Sequence, residues 1–183
     1  MDVTGIKLHI SNENIDIVSH IKYLGFQMDS FLNFDYHLDY MQKKISKKLY
    51  FFGRVSQHLT TQTKITVFHS IIQPHFDYCA SVLYMFNLNK LNQLQKLQNR
   101  AMRIILTANR RTPIVNMLKT LNWLSVEQKL YFSTMVFVYK IVNGLGPEYF
   151  SKYVVFGGDV HHYDTRNNRN LYISKTNYRG TMN

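Results

Sequence analysis

The chain has 183 residues, enough for one domain or one domain with an appendage, and its 45% apolar content supports a core of ordinary size. Twenty-two Lys and Arg oppose eleven Asp and Glu, and the resulting formal net charge of +11 suits a polyanionic partner, because neutralised phosphates release counterions. The only cysteine, Cys79, excludes an internal disulfide and a multi-thiolate zinc site, which points to a reducing compartment, nucleus or cytoplasm. The apolar run 135–142 is broken by Lys140 and falls short of the roughly 18 residues a membrane span needs. The opening MDVTGIKLHI has neither the basic start nor the apolar stretch of a signal peptide.

Residues 1–30 carry strand signals. Ile6, Leu8 and Ile10 alternate with polar residues, Ser11 to Asn14 supply a turn, and the alternation resumes from Ile15 to Val18. A further short strand is expected over 21–28, with Gly25 as a bend inside it. An antiparallel element this small must pack on something else.

From Asn33 the period changes. Phe34, Leu38, Met41, Ile45, Leu49 and Phe52 recur at three and four residues and predict a long helix, capped by Asn33 or Ser30. Lys43, Lys44, Lys47, Lys48 and Arg54 gather on another side of it. A second helix follows the cap candidates Thr60 and Thr61 and carries Ile65, Phe68, Ile71 and Ile72. Pro74 either kinks it or begins another. The run 88–108 is the clearest amphipathic helix: Leu91, Leu94, Leu97, Ala101, Ile104, Ile105 and Ala108 share a face. Lys96, Arg100, Arg103, Arg110 and Arg111 occupy an arc of about 100° beside the opposite face, if the helix persists that far. No acidic residue occurs between Asp77 and Glu127, unlike the mixed charges of an ordinary solvated helix.

Pro113 opens a short helix through Leu121. Ser125 and Gln128 form a capping box for an apolar helix to Val142, which Gly144 and Pro147 then stop. Beyond Tyr153 periodicity is lost and an irregular tail is expected. The predicted fold is mainly α: a β element over 1–30, a helical domain over 31–150 and a tail over 151–183.

Catalytic constellations are sparse. Eight aspartates are present, but none adjoins another as two-metal phosphoryl chemistry favours, and Asp35 and Asp39 read as a charge bias at a helix start. Cys79 and His75 would share a face on a continuous helix and form the one candidate thiol nucleophile and base. His161 and His162 with Asp159 and Asp164 match metal ligands in composition but not in zinc spacing. Gly157 and Gly158 lack the strand and helix context of a phosphate loop. No catalytic or metal-binding residue is assigned from these groups.

Several strings, taken in order, resemble LINE-type retrotransposon reverse transcriptases of the jockey-like kind. They are IKYLGFQMD at 21–29 with Leu32, Asn33, Phe34, His37 and Leu38; IIQPHFDYCAS at 71–81; LQKLQNRAMRII at 94–105; LNWLSVE at 121–127; and YKIVNGLGPEY at 139–149. Thr165-Arg166-Asn167 and Tyr178-Arg179-Gly180 continue the likeness into the tail. The resemblance implies a thumb-like helical bundle beside a primer-grip-like segment at Tyr23, Leu24 and Gly25. Its partners would be an RNA or RNA–DNA duplex and the palm and fingers of the parent polymerase, with no membrane. The Mg2+ of a full polymerase would be held by palm aspartates that have no counterpart here, so no cofactor is expected in this chain. Lys43, Lys44, Lys47, Lys48, Lys96, Arg100, Arg103, Arg110 and Arg111 would contact phosphates, and Tyr23 would bury in the sheet or stack on a nucleotide. The rival expectations are a truncated remnant exposing apolar residues such as Phe26, Phe31 or Phe51, and a thiol enzyme built on Cys79 and His75.

Overall fold

The computed structural model describes residues 8–10, 13–15, 18–160, 163, 166 and 168–172. The protein is mostly helical, with small antiparallel pairs of strands before the helices. Compact packing divides it within one long helix, after Tyr131.

In the first unit, β1 (Leu8–Ile10) pairs with β2 (Glu13–Ile15), as the alternation predicts. The strand expected over 21–28 is instead two: β3 (His20–Tyr23) and β4 (Phe26–Asp29) form a hairpin in which Tyr23 opposes Phe26. Gly25 does mark the bend, and its φ of 88° follows a φ of 47° at Leu24. Two successive left-handed residues make the two-residue turn whose twist matches the strands. Leucine is poorly suited to that geometry, which costs a residue with a β-carbon about 1 kcal/mol. Leu24 is also exposed, so Leu24→Asn is expected to raise stability by about 1 kcal/mol, read as a higher denaturant midpoint by Trp123 fluorescence.

The hairpin leads into α1 (Asp35–Val55) through a turn that neither Ser30 nor Asn33 caps. Phe34 occupies the N-cap with φ 61°, and the Asp29 carboxylate accepts from the amides of Phe31, Asn33 and Phe34 at 3.1, 2.9 and 2.7 Å. These amides, Asn33 first, hold the carboxyl of Asp29 below its ordinary pKa. The predicted apolar stripe of α1 is buried, and Ile45, Leu49 and Phe52 are closed to solvent. Each such side chain contributes about 1.5–3 kcal/mol of transfer free energy.

The helix α2 (Thr61–Ile71) starts at Thr60, whose hydroxyl accepts from the Thr63 amide at 3.2 Å. Pro74 begins a new turn, α3 (Pro74–Asp77), and another short helix, α4 (Ala80–Leu83), follows. Asn87 caps α5 (Leu88–Leu106), which ends at Thr107 in a left-handed conformation. The helix α6 (Ile114–Leu121) follows Pro113 as predicted. Trp123 stacks on Phe68 with centroids 4.4 Å apart, joining the turn after α6 to α2.

Polar pairing completes this core. Gln95 Nε2 donates to Gln98 and Asn99 at 2.8 Å each, while its Oε1 accepts the amide of Val126 at 2.8 Å. A half-buried amide side chain thus meets an orphan N–H at the start of α7 (Val126–Val142). The predicted capping box forms alongside it, Ser125 N donating to Gln128 and Gln128 N to Ser125.

In the second unit, the C-terminal part of α7 ends at Gly144, φ 69°, where the Leu145 amide reaches the Lys140 carbonyl at 2.8 Å. A 3-10 turn (Glu148–Tyr153) follows, with Phe150 edge-on to Phe137 at 5.5 Å. Next come a one-turn helix, α8 (Gly157–Val160), and a bridge between Phe156 and Leu171. The amides of Gly157 and Gly158 are spent on the carbonyls of Asn170 and Asn168, and Asp159 accepts the amide of Phe156. His161, His162, Asp164, Thr165, Asn167, Tyr178, Arg179 and Gly180 lie outside the described residues. Among the described residues, no helix is long and apolar enough to cross a membrane.

Candidate nucleic-acid interface

The two basic helices lie side by side in the first unit. Gln42 Nε2 donates to Gln93 Oε1 at 2.7 Å, and a β-carbon at Gly53 would stand 3.7 Å from Ile104 Cδ1. Both contacts join residues 51 apart, so α1 and α5 run parallel and in register. At 100° per residue, the line of contact on α1 lies about 70° from the middle of its buried stripe. Lys43, Lys47 and Arg54 lie about 100° further round. On α5 the order is the same in the opposite sense: buried stripe, contact line, then Lys96, Arg100 and Arg103 about 60° beyond it. For parallel neighbours, opposite senses bring both arcs to one surface, the one turned away from the core.

Of the nine predicted phosphate contacts, Lys43, Lys47, Lys96, Arg100 and Arg103 therefore share this surface. Arg110 and Arg111, both exposed, sit in the turn after α5, which does not continue as helix to Arg111. The Asn109 side chain shapes that turn by accepting the Arg111 amide at 3.2 Å. Arg103 reaches the Arg110 carbonyl at 3.5 Å, while its Nε is buried with no hydrogen-bond partner. The turn thus folds back beneath the guanidinium.

Lys44 and Lys48 lie on the other flank of α1. Lys48 is half-buried and donates to the Ile71 carbonyl at 2.8 Å, serving the last turn of α2. Lys44 donates to the Tyr40 hydroxyl at 3.1 Å and lies 5.3 Å from the centroid of that ring. This hydrogen bond, with the nearby charges of Lys44 and Lys22, lowers the Tyr40 phenol pKa. Arg54 belongs to the surface by position, and Lys22 of β3 lies near the start of α1. Neither is among the nine, although the 4-3-4 spacing from Lys43 to Arg54 carries the signal for Arg54.

Other lysines are structural. Lys64 is buried with its Nζ 3.4 Å from the Thr107 hydroxyl, where α5 presents its C-terminal carbonyls. Lys90 binds Asp35 at 2.9 Å and also the Asn33 carbonyl, tying α5 to the start of α1.

The hairpin tip carries Tyr23, Leu24 and Gly25, which the resemblance likens to a primer grip. The Tyr78 hydroxyl donates to the Leu24 carbonyl and anchors the turn. Tyr23 is 63% exposed, so its expected burial in the sheet is not found. The reason is geometric: β4 packs on α1, and although His20 at the start of β3 stacks on Tyr36, Ile21 and Tyr23 are left uncovered while Phe26 is buried.

Four of the described aspartates are engaged by the protein itself. Asp29 holds three amides, Asp35 meets Lys90, Asp39 meets Lys43, and Asp77 lies between Gln73 and Lys129. Among the described residues, no three metal-ligating side chains converge. Nor does one helix carry His75 and Cys79, because α3 ends at Asp77 and Cys79 turns the chain with φ 53°. Burial, reinforced by Lys48 and Lys44, pushes the His75 pKa down to about 4, and its Nε2 has no hydrogen-bond partner.

Comparison with models of protein families, with curated proteins and with solved structures finds no match.

Proposed function

We propose that the α1/α5 surface grips the phosphate backbone of an RNA or RNA–DNA duplex, as the thumb-like part of a reverse transcriptase of the LINE type. The observation carrying this reading is the convergence of Lys43, Lys47, Arg54, Lys96, Arg100 and Arg103 on one surface of two parallel helices, with the carboxylate of Asp39 among them, paired to Lys43. A solvated face would mix signs. Cations arrayed along adjacent helices suit a polyanion and position it without reading its bases. The parent activity would be RNA-directed DNA synthesis in nucleus or cytoplasm, with catalysis in the palm and fingers of the parent polymerase.

The test is binding of labelled RNA–DNA hybrid across a salt series. With six phosphate contacts, affinity is expected to fall roughly a thousandfold between 50 and 200 mM salt. A flat salt dependence overturns the reading.

Exposure of Phe31 and Phe51, at 82% and 62%, favours a second reading in which the chain is a remnant lacking the palm that once covered it, although Phe26 is buried. Strong binding of a hydrophobic dye with a broad thermal transition would support that reading, and a sharp two-state melt would count against it.

A further inference from the structure

The outer face of α1 carries rings as well as charges. Tyr36, Tyr40, Lys43, Lys47, Tyr50 and Arg54 follow one another at alternating steps of four and three, which aligns them in a stripe about 27 Å long. Tyr36 is 50% exposed and Tyr50 60%. Both rings are supported on one side. His20 of β3 stacks on Tyr36 with centroids 4.3 Å apart and planes 11° apart, and the Arg54 guanidinium lies 5.7 Å from the Tyr50 centroid.

Phosphate contact would use the tyrosine hydroxyls but leaves the ring faces without a role, because a duplex keeps its base faces stacked inside. An unpaired base has a free π-face, and stacking it on an aromatic side chain is worth about 1–3 kcal/mol whatever its identity. Cations between the rings, as Lys43 and Lys47 are here, neutralise the backbone linking such bases. An acidic protein segment would meet the same charges but offers a flat face only where it happens to carry an aromatic side chain, whereas every unpaired nucleotide brings one beside its phosphate.

We infer that the Tyr36–Tyr50 stripe of α1 is a stacking platform for single-stranded nucleic acid, so that the protein holds a few unpaired nucleotides beside the duplex. This rests on the α1/α5 surface being a nucleic-acid interface and adds a second ligand form to it.

The experiment uses the full chain with two probes. One is a single-stranded oligonucleotide of about 12 nucleotides carrying a fluorescent adenine analogue that stacking quenches, and the other is a blunt RNA–DNA hybrid. Tyr36→Leu with Tyr50→Leu is expected to weaken single-strand binding about tenfold per ring and to abolish the quenching. The Tyr36→Phe, Tyr50→Phe pair restores both, and hybrid binding keeps its affinity and salt slope throughout. Trp123 fluorescence verifies that each variant is folded. Unchanged single-strand affinity in the leucine variant overturns the stacking platform, as does an equal loss of both ligands. If hybrid binding stays steeply salt-dependent in that case, the backbone reading survives; a flat salt slope in the wild-type protein removes both.

Discussion

Replacing Lys96, Arg100 and Arg103 together by alanine is expected to weaken binding to an RNA–DNA hybrid by about a hundredfold near physiological salt and to lower the salt slope by about three. Each lost phosphate contact removes about 0.9 from the slope, so the slope counts contacts independently of absolute affinity. Lys96 and Arg100 are exposed on the outer face of α5, and alanine retains the helix, so the fold should tolerate the change. Arg103 is half-buried, so a Lys96→Ala, Arg100→Ala pair provides a second measurement with an expected slope change of about two. Lys48→Ala separates phosphate contact from general basicity. Its ammonium is committed to the Ile71 carbonyl, so stability should fall while the slope stays as in the wild type. A slope unmoved by the triple variant, or lowered equally by Lys48→Ala, would contradict the geometry of the surface.

The sorting of those cations marks the limit of what periodicity conveys. A helical wheel places Lys43 through Lys48 off the apolar stripe but cannot tell which flank meets a neighbour. Only the packing of α5 on one side and the end of α2 on the other separates Lys43 and Lys47 from Lys44 and Lys48. Lys64 and Lys90 are invisible for a related reason: their partners are a hydroxyl and carbonyl at helix ends distant in sequence. Local signals fared better. The Ser125–Gln128 box, the Thr60 cap, Pro113 and Gly144 all act within four residues and stand where the chain chemistry puts them. The entry to α1 failed because Asp29, five residues before Phe34, supplies the acceptor that Ser30 or Asn33 was expected to give. Tyr23 failed for the opposite reason: its strand is formed, but the helix that buries Phe26 of β4 leaves Ile21 and Tyr23 of β3 uncovered.

Acidification from pH 7 to pH 4 is expected to remove about 3 kcal/mol of stability through His37 alone. The side chain is 3% exposed, stacked on Phe26 at 3.7 Å, and its Nδ1 accepts the Gln27 amide at 3.3 Å. Protonation would charge a ring enclosed by hydrocarbon and turn that acceptor into a donor facing an N–H. Burial accordingly pushes the His37 pKa down from 6.5 to about 4. In the unfolded chain the ring takes up its proton near pH 6.5, so between pH 6.5 and 4 the unfolded state binds more protons than the folded one. The stabilisation is therefore complete above pH 6.5, declines as the pH falls and is lost near pH 4. Carboxylates titrate in the lower part of that window, so the informative quantity is the difference from His37→Gln, which keeps an acceptor for the Gln27 amide and cannot titrate. Unfolding followed by Trp123, in the same unit, should show the stability gap between the two proteins narrowing by about 3 kcal/mol from pH 7 to pH 4. A gap independent of pH would mean that His37 titrates alike in both states and that the hairpin is not held on α1 by a neutral imidazole.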